Sequence, residues 1–145
     1  MTRRLLALAA LSFLLVACQK ANDPTTSAVE INGQWYPVEV ARTAAERTRG
    51  LSKRDNLPAD TGMLFIFDRP VSANFWMKDM RFALDLLWIA DLTVVGITTD
   101  VPVPTSTVLL EYLAPQPVTH VLEFNAGWAA KNKITVGDEV VFLLQ

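Results

Sequence analysis

GMLFIFDRPVSANFWMKDMRFALDLLW, residues 62–88, holds three apolar runs separated by short turns and interrupted by Lys78 and by aspartates. Met63, Phe65 and Phe67 alternate with Leu64 and Ile66, so a strand here is apolar on both faces and should lie covered on both sides. Gly62 before the run and Asp68-Arg69-Pro70 after it give it the length of a strand, not a helix. Asn74 to Lys78 and Leu84 to Ala90 read as the next two strands, an antiparallel pair joined through Asp79 to Ala83. The stretch should form the centre of a β domain with a small polar site in it.

Upstream, Val29-Glu30-Ile31, Asn32-Gly33 and Gln34 to Val40 spell a β-hairpin, because an Asn-Gly pair accepts the positive φ angles of a tight type I′ turn. Pro37 places the second of these strands at an edge or a bulge. Thr43-Ala44-Ala45-Glu46 fits a capping box, so a short helix is expected from Ala44 to about Arg49, stopped by Gly50. Downstream, Val94 to Val101, Val118 to Asn125 and Glu139 to Leu144 read as strands. Pro102-Val103-Pro104 is loop, and Ala126 to Lys131 is a second short helix entered at Asn125. Short strands punctuated this regularly predict a mainly β fold, a compact antiparallel sandwich or barrel-like single domain with one or two short helices.

The domain should cover residues 28–145, because what precedes it reads differently. Arg3 and Arg4 introduce the apolar run Leu5 to Ala17, which is shorter than the roughly 20 residues that cross a bilayer as a helix and has the form of a secretory leader. Leu15-Val16-Ala17-Cys18 is similar to the lipobox of bacterial lipoproteins. Residues 1–17 would then be removed and Cys18, the only cysteine, acylated. Two or three acyl chains hold a protein on a membrane durably, at about 0.8 kcal/mol per buried methylene. Gln19 at the next position, by analogy with sorting in enteric bacteria, points to the outer membrane facing the periplasm. Residues 18–27 form a polar lipidated tether of about 30 Å at full stretch.

Composition excludes several classes. The formal net charge of −2, which falls to −4 once Arg3 and Arg4 are removed, argues against a nucleic-acid partner. With one cysteine and one histidine, a zinc site is excluded in practice, and the acids are too scattered for calcium. No Gly-rich phosphate loop and no nucleophile motif appears, so no cofactor is implied. His120 falls on an apolar face and reads as structural. The four tryptophans fill a core more readily than they stack on sugars.

The polar residues enclosed by apolar runs are the site candidates. If the Asp79–Ala83 turn sets Lys78 opposite Asp85, the two touch, with Trp76 beside Lys78 on the same face. Glu123 alternates with Leu122 and Phe124 and needs a partner, such as Lys78, Asn125 or backbone amides. One reading makes Lys78, Asp85 and Glu123 a structural network that fixes register. The other sets them at the mouth of a barrel, with Trp76 as a wall, to hold a small polar ligand.

Several ordered motifs are similar to those of the bacterial and archaeal family called domain of unknown function 192: Thr43 to Leu51 (TAAERTRGL), Gly62 to Phe67 (GMLFIF), Phe75 to Asp85 (FWMKDMRFALD), Leu122 to Gly127 (LEFNAG) and Gly137-Asp138. The resemblance spans nearly the whole chain after the tether. The family's usual WMKNT and PLD stand here as Trp76-Met77-Lys78-Asp79-Met80 and Ala83-Leu84-Asp85, so an asparagine-threonine pair is replaced and a proline lost. The resemblance implies a compact β-rich fold, often secreted or lipid-anchored, without an established activity. It marks Trp76, Met77, Lys78, Asp85, Glu123 and Gly127 as signature positions.

Together these readings predict an envelope lipoprotein held on the membrane through the lipid on Cys18. Its β domain is expected to bind a small polar ligand, a glycan or an envelope protein partner through Trp76, Met77, Lys78, Asp85, Glu123 and Asn125. Two alternatives stand beside it: a hydrolase of an envelope polymer using Asp85 and Glu123 as paired carboxylates, and a purely structural interaction module.

Overall fold

The computed structural model describes residues 26–145. The expected leader, Cys18 and most of the tether lie outside the described residues. The chain forms β1 (Ala28–Ile31), β2 (Gln34–Ala41), α1 (Ala44–Arg49), β3 (Gly62–Val71), β4 (Asn74–Trp76), β5 (Leu84–Ala90), β6 (Thr93–Val101), β7 (Glu111–Leu113), β8 (Val118–Asn125), α2 (Trp128–Lys131) and β9 (Val140–Leu143). It is a mainly β fold, as expected.

Seven strands make one sheet in the order β6-β5-β8-β3-β2-β1-β9, while β4 and β7 form a separate pair. All neighbours are antiparallel except β2 and β3, which run parallel and are connected through α1. The sheet curls until its two edges approach. Val94 donates to the Asp138 carbonyl, Gly137 to that of Val94 and Val140 to that of Leu92, stitching the start of β6 to the approach to β9. The result is a half-barrel whose edges are covered at one end, which protects unpaired strand groups.

Local sequence explains these elements. Asn32 and Gly33 take φ of 53° and 75°, the type I′ turn expected between β1 and β2. Thr43 accepts from the Glu46 amide while Glu46 accepts from the Thr43 amide, the complete capping box, and Gly50 ends α1 at φ 46°. The residues of β3 from Gly62 to Phe65 are all buried, because the strand is covered on both faces. α2 starts two residues later than expected: Gly127 is its N-cap and takes the left-handed conformation, while Asn125 is still in β8.

Two apolar clusters lie on opposite faces of the sheet. The concave face packs Val29, Ile31, Leu64, Leu87, Ile89, Leu122 and Phe124, with Trp128 of α2 stacked on Phe124 at 3.6 Å. The convex face packs Leu51, Met63, Phe65, Leu86, Trp88 and Val121 beneath a layer formed by the 50–61 segment, the 77–80 turn and the β4–β7 pair. Fully burying such side chains stabilises by about 1.5–3 kcal/mol each. The double cover explains why the central strands read as continuous apolar runs.

One expected pairing is overturned. Residues 74–78 and β5 are not partners: β4 stops at Trp76 and pairs with β7, whereas β5 lies between β6 and β8. The competitor for β4 was a three-residue strand that follows the proline-rich 102–104 loop and precedes Pro115. Too few alternating residues stand there to announce it from sequence.

Candidate functional site

β8 brings Glu123 to the middle of the convex face, where its cross-strand partners are Met63 of β3 and Leu86 of β5. Neither partner is polar. Glu123 is 5% exposed, and no hydrogen bond or ion pair reaches its carboxyl from the described residues. Burial alone pushes its pKa from 4.5 up to about 8, so it stands protonated at neutral pH, both a donor and an acceptor. Its remaining exposure opens into a cleft of about 290 Å³.

α1 forms one wall of this cleft and β4 the other. The helix is fixed on the sheet by Arg47, whose Nη1 donates to the Ile66 carbonyl at 2.9 Å and to that of Arg42, and whose guanidinium lies 5.2 Å from the Phe67 ring centre. Leu51, just beyond α1, is buried in the convex cluster. Ser52 donates to the Lys78 carbonyl and the Lys53 amide to that of Asp79, so the segment after α1 holds the 77–80 turn. Phe75 packs edge-on against Phe65 at 4.9 Å and Trp88 at 5.6 Å, which sets β4 over the strands. Trp76 then stands 47% exposed at the rim.

The remaining candidates sit elsewhere. Asp85 is fully buried on the opposite, concave face, since it pairs across strands with Phe124 while Glu123 pairs with Leu86. Its Oδ1 accepts from the Asp100 amide and its Oδ2 from the Ala129 amide, both at 2.9 Å. The first is a donor freed by the register shift between β5 and β6, and the second belongs to the first turn of α2. Asp85 therefore locks a bulge to a helix start. Lys78 is exposed and makes no ion pair among the described residues, so the expected Lys78–Asp85 contact is absent. Its cause is the pairing of β4 with β7 in place of β5.

Asn125 donates to the Leu57 carbonyl at 2.9 Å, tying the 50–61 segment to β8 and not to Glu123. Met77 is buried in the convex cluster. Gly127 is the α2 N-cap. His120 stacks on Phe142 at 4.4 Å and contacts Thr119 through Nδ1, and burial lowers its pKa. Of the six ligand-binding candidates, only Trp76 and Glu123 share the cleft. The two carboxylates point to opposite faces of one sheet and cannot flank a single bond, which removes the geometry a paired-carboxylate hydrolase requires.

Sequence reasoning passed over Arg47 and Arg49, which line the cleft. The available signal was a six-residue helix with both arginines in its last turn directly before the core residue Leu51, which fixes its orientation on the sheet.

The profile of the family described as DUF192, uncharacterized ACR, matches residues 27–142. Among solved structures, a protein of unknown function from Novosphingobium aromaticivorans shares the fold with a TM-score of 0.70 and 34% identity, over 79% of this chain and 83% of that one. A Sinorhizobium meliloti protein provisionally assigned as a transcription regulator gives a TM-score of 0.69 and 31% identity, over 80% of this chain and 91% of that one. No curated protein matches the chain at a significant level.

Proposed function

We propose that this chain, which belongs to the domain of unknown function 192 family, is an envelope lipoprotein whose β domain is a binding module, with its small polar ligand seated in the cleft between α1 and β4. The observation that carries the reading is Glu123: a buried carboxyl with no partner among the described residues, opening into a cleft walled by an exposed tryptophan. Leaving such a group unpaired costs a folded protein about 1–3 kcal/mol, and a ligand that bonds to it recovers that cost. The aromatic walls supply the apolar contact that small-molecule sites use, and the few polar groups set orientation. The anchoring half rests on the Leu15-Val16-Ala17-Cys18 sequence and the polar stretch after it. The net charge of −2 gives no support to a nucleic-acid partner.

A thermal-shift screen of sugars, amino acids and organic acids on the full-length protein tests the module. A compound that raises the melting temperature of the wild type, but not of Trp76→Ala with its own melting temperature intact, is the expected result. Compounds that stabilise both forms equally, or no stabilising compound at all, would contradict it.

A second reading is favoured by Leu113 at the end of β7 and by Val108 and Leu110 just before that strand, which are exposed at 67%, 74% and 66%. Such a patch suits docking on another envelope protein. Crosslinking in whole cells with Leu110→Asp/Leu113→Asp tests it: loss of a partner band supports docking, and an unchanged pattern contradicts it.

A further inference from the structure

The charged groups on the cleft wall are of one sign. α1 contributes Arg47 and Arg49, whereas β3, β4 and Met80 of the 77–80 turn contribute no charge, and Glu123 itself is held neutral by burial. Because the chain as a whole is acidic, this cationic wall is not the local sample of a basic surface. No direct ion pair occupies Arg49 among the described residues. Glu39 and Glu46 both feel its charge, but Glu39 is taken by Arg54 in a two-bond fork at 2.6 and 2.7 Å and Glu46 accepts from the Arg42 and Thr43 amides. Arg47 is held in place by two backbone carbonyls and the Phe67 ring, so its guanidinium is oriented before any ligand arrives.

Resting on the binding-module reading, we propose that the cleft takes a small organic anion carried on a ring, its acid group held by Arg47, Arg49 and the Glu123 carboxyl and its ring against Phe75 and Trp76. A carboxyl group that keeps its proton donates a charge-assisted hydrogen bond to the anion, while the arginines supply the countercharge. Neutral ring compounds find the same aromatic wall but leave the guanidiniums unanswered. Cationic ones meet like charge. Once Glu123 ionises, above about pH 8, its charge repels the anion it had bonded. The other charged groups lining the cleft are Arg47 and Arg49 of α1.

The test uses benzoate, whose charge is constant from about pH 6 to about pH 10, against benzyl alcohol and benzylamine of the same ring size. Binding to the full-length protein in a neutral detergent is read from the indole N–H signal of Trp76 in nitrogen-15 NMR spectra. Benzoate is expected to shift that signal and to bind about tenfold or more tightly than either comparison compound, with Arg49→Ala losing about tenfold. Wild-type affinity should fall about tenfold or more between about pH 6.5 and about pH 9.5, while Glu123→Gln, which keeps a neutral donor, loses far less.

Equal binding of benzoate and benzyl alcohol, unaffected by Arg49→Ala, would overturn the anion preference and leave the binding-module reading standing. If none of the three ring compounds perturbs Trp76 at tens of millimolar, and the thermal-shift screen is also empty, both fall together.

Discussion

Glu123 and Asp85 are carboxyl groups on adjacent strands at the heart of one sheet, and their surroundings give them opposite roles. Asp85 accepts two backbone amides that would otherwise be stranded, so Asp85→Ala should destabilise the domain by about 3 kcal/mol, and Asp85→Asn by less because it keeps one acceptor. Urea denaturation of the two variants measures this; an Asp85→Ala domain as stable as wild type would remove the locking role. Glu123 behaves differently. The folded protein retains its proton up to about pH 8, whereas the unfolded chain releases it near 4.5, so stability falls as pH rises through that window and levels off above it. The full loss is on the order of 5 kcal/mol, and Glu123→Gln should abolish that part of the pH slope in denaturation midpoints. Alternation along β8 was enough to show Glu123 among apolar neighbours. That Asp85 faces the other side was not legible, because it depends on which strands pair and in what register, and a shift of one residue reverses every side chain.

At the scale of elements, α1 is where sequence and structure agree most closely, since capping chemistry is local and needs no tertiary information. Thr43→Ala removes the hydroxyl that accepts the Glu46 amide and should cost about 1 kcal/mol. Faster hydrogen exchange across Ala44–Arg49 is the accompanying sign that the wall of the cleft has loosened; unchanged exchange and stability would show that packing, not the cap, holds it. The β1–β2 hairpin was legible for the same local reason. β4 was not. Its partner β7 is three residues long and stands between proline-containing segments, so a pairing with the strong neighbouring strand β5 was the natural expectation from sequence. Losing that pairing moved Lys78 away from Asp85, while Phe75, packed on Phe65 and Trp88, brought Trp76 to the rim of the Glu123 cleft.

For the whole molecule, the curled sheet divides the interior into a concave core plugged by α2 and a convex core covered by loops and the β4–β7 pair. Mainly β character and short helices could be read from strand lengths and turn residues. The single parallel contact between β2 and β3, reached through α1, could not, because it is a property of the crossover and not of either strand. Anchoring belongs to this scale too. Wild type should incorporate labelled palmitate and partition into detergent, Cys18→Ser should do neither, and equal partitioning of both would contradict a lipid anchor. All of the proposed chemistry requires the assembled layers to keep one carboxyl dry yet reachable from the cleft. The carbon-13 shift of the Glu123 carboxyl followed against pH measures that directly: a titration midpoint at about 8 is expected, and a midpoint at the ordinary value of 4.5 would contradict it.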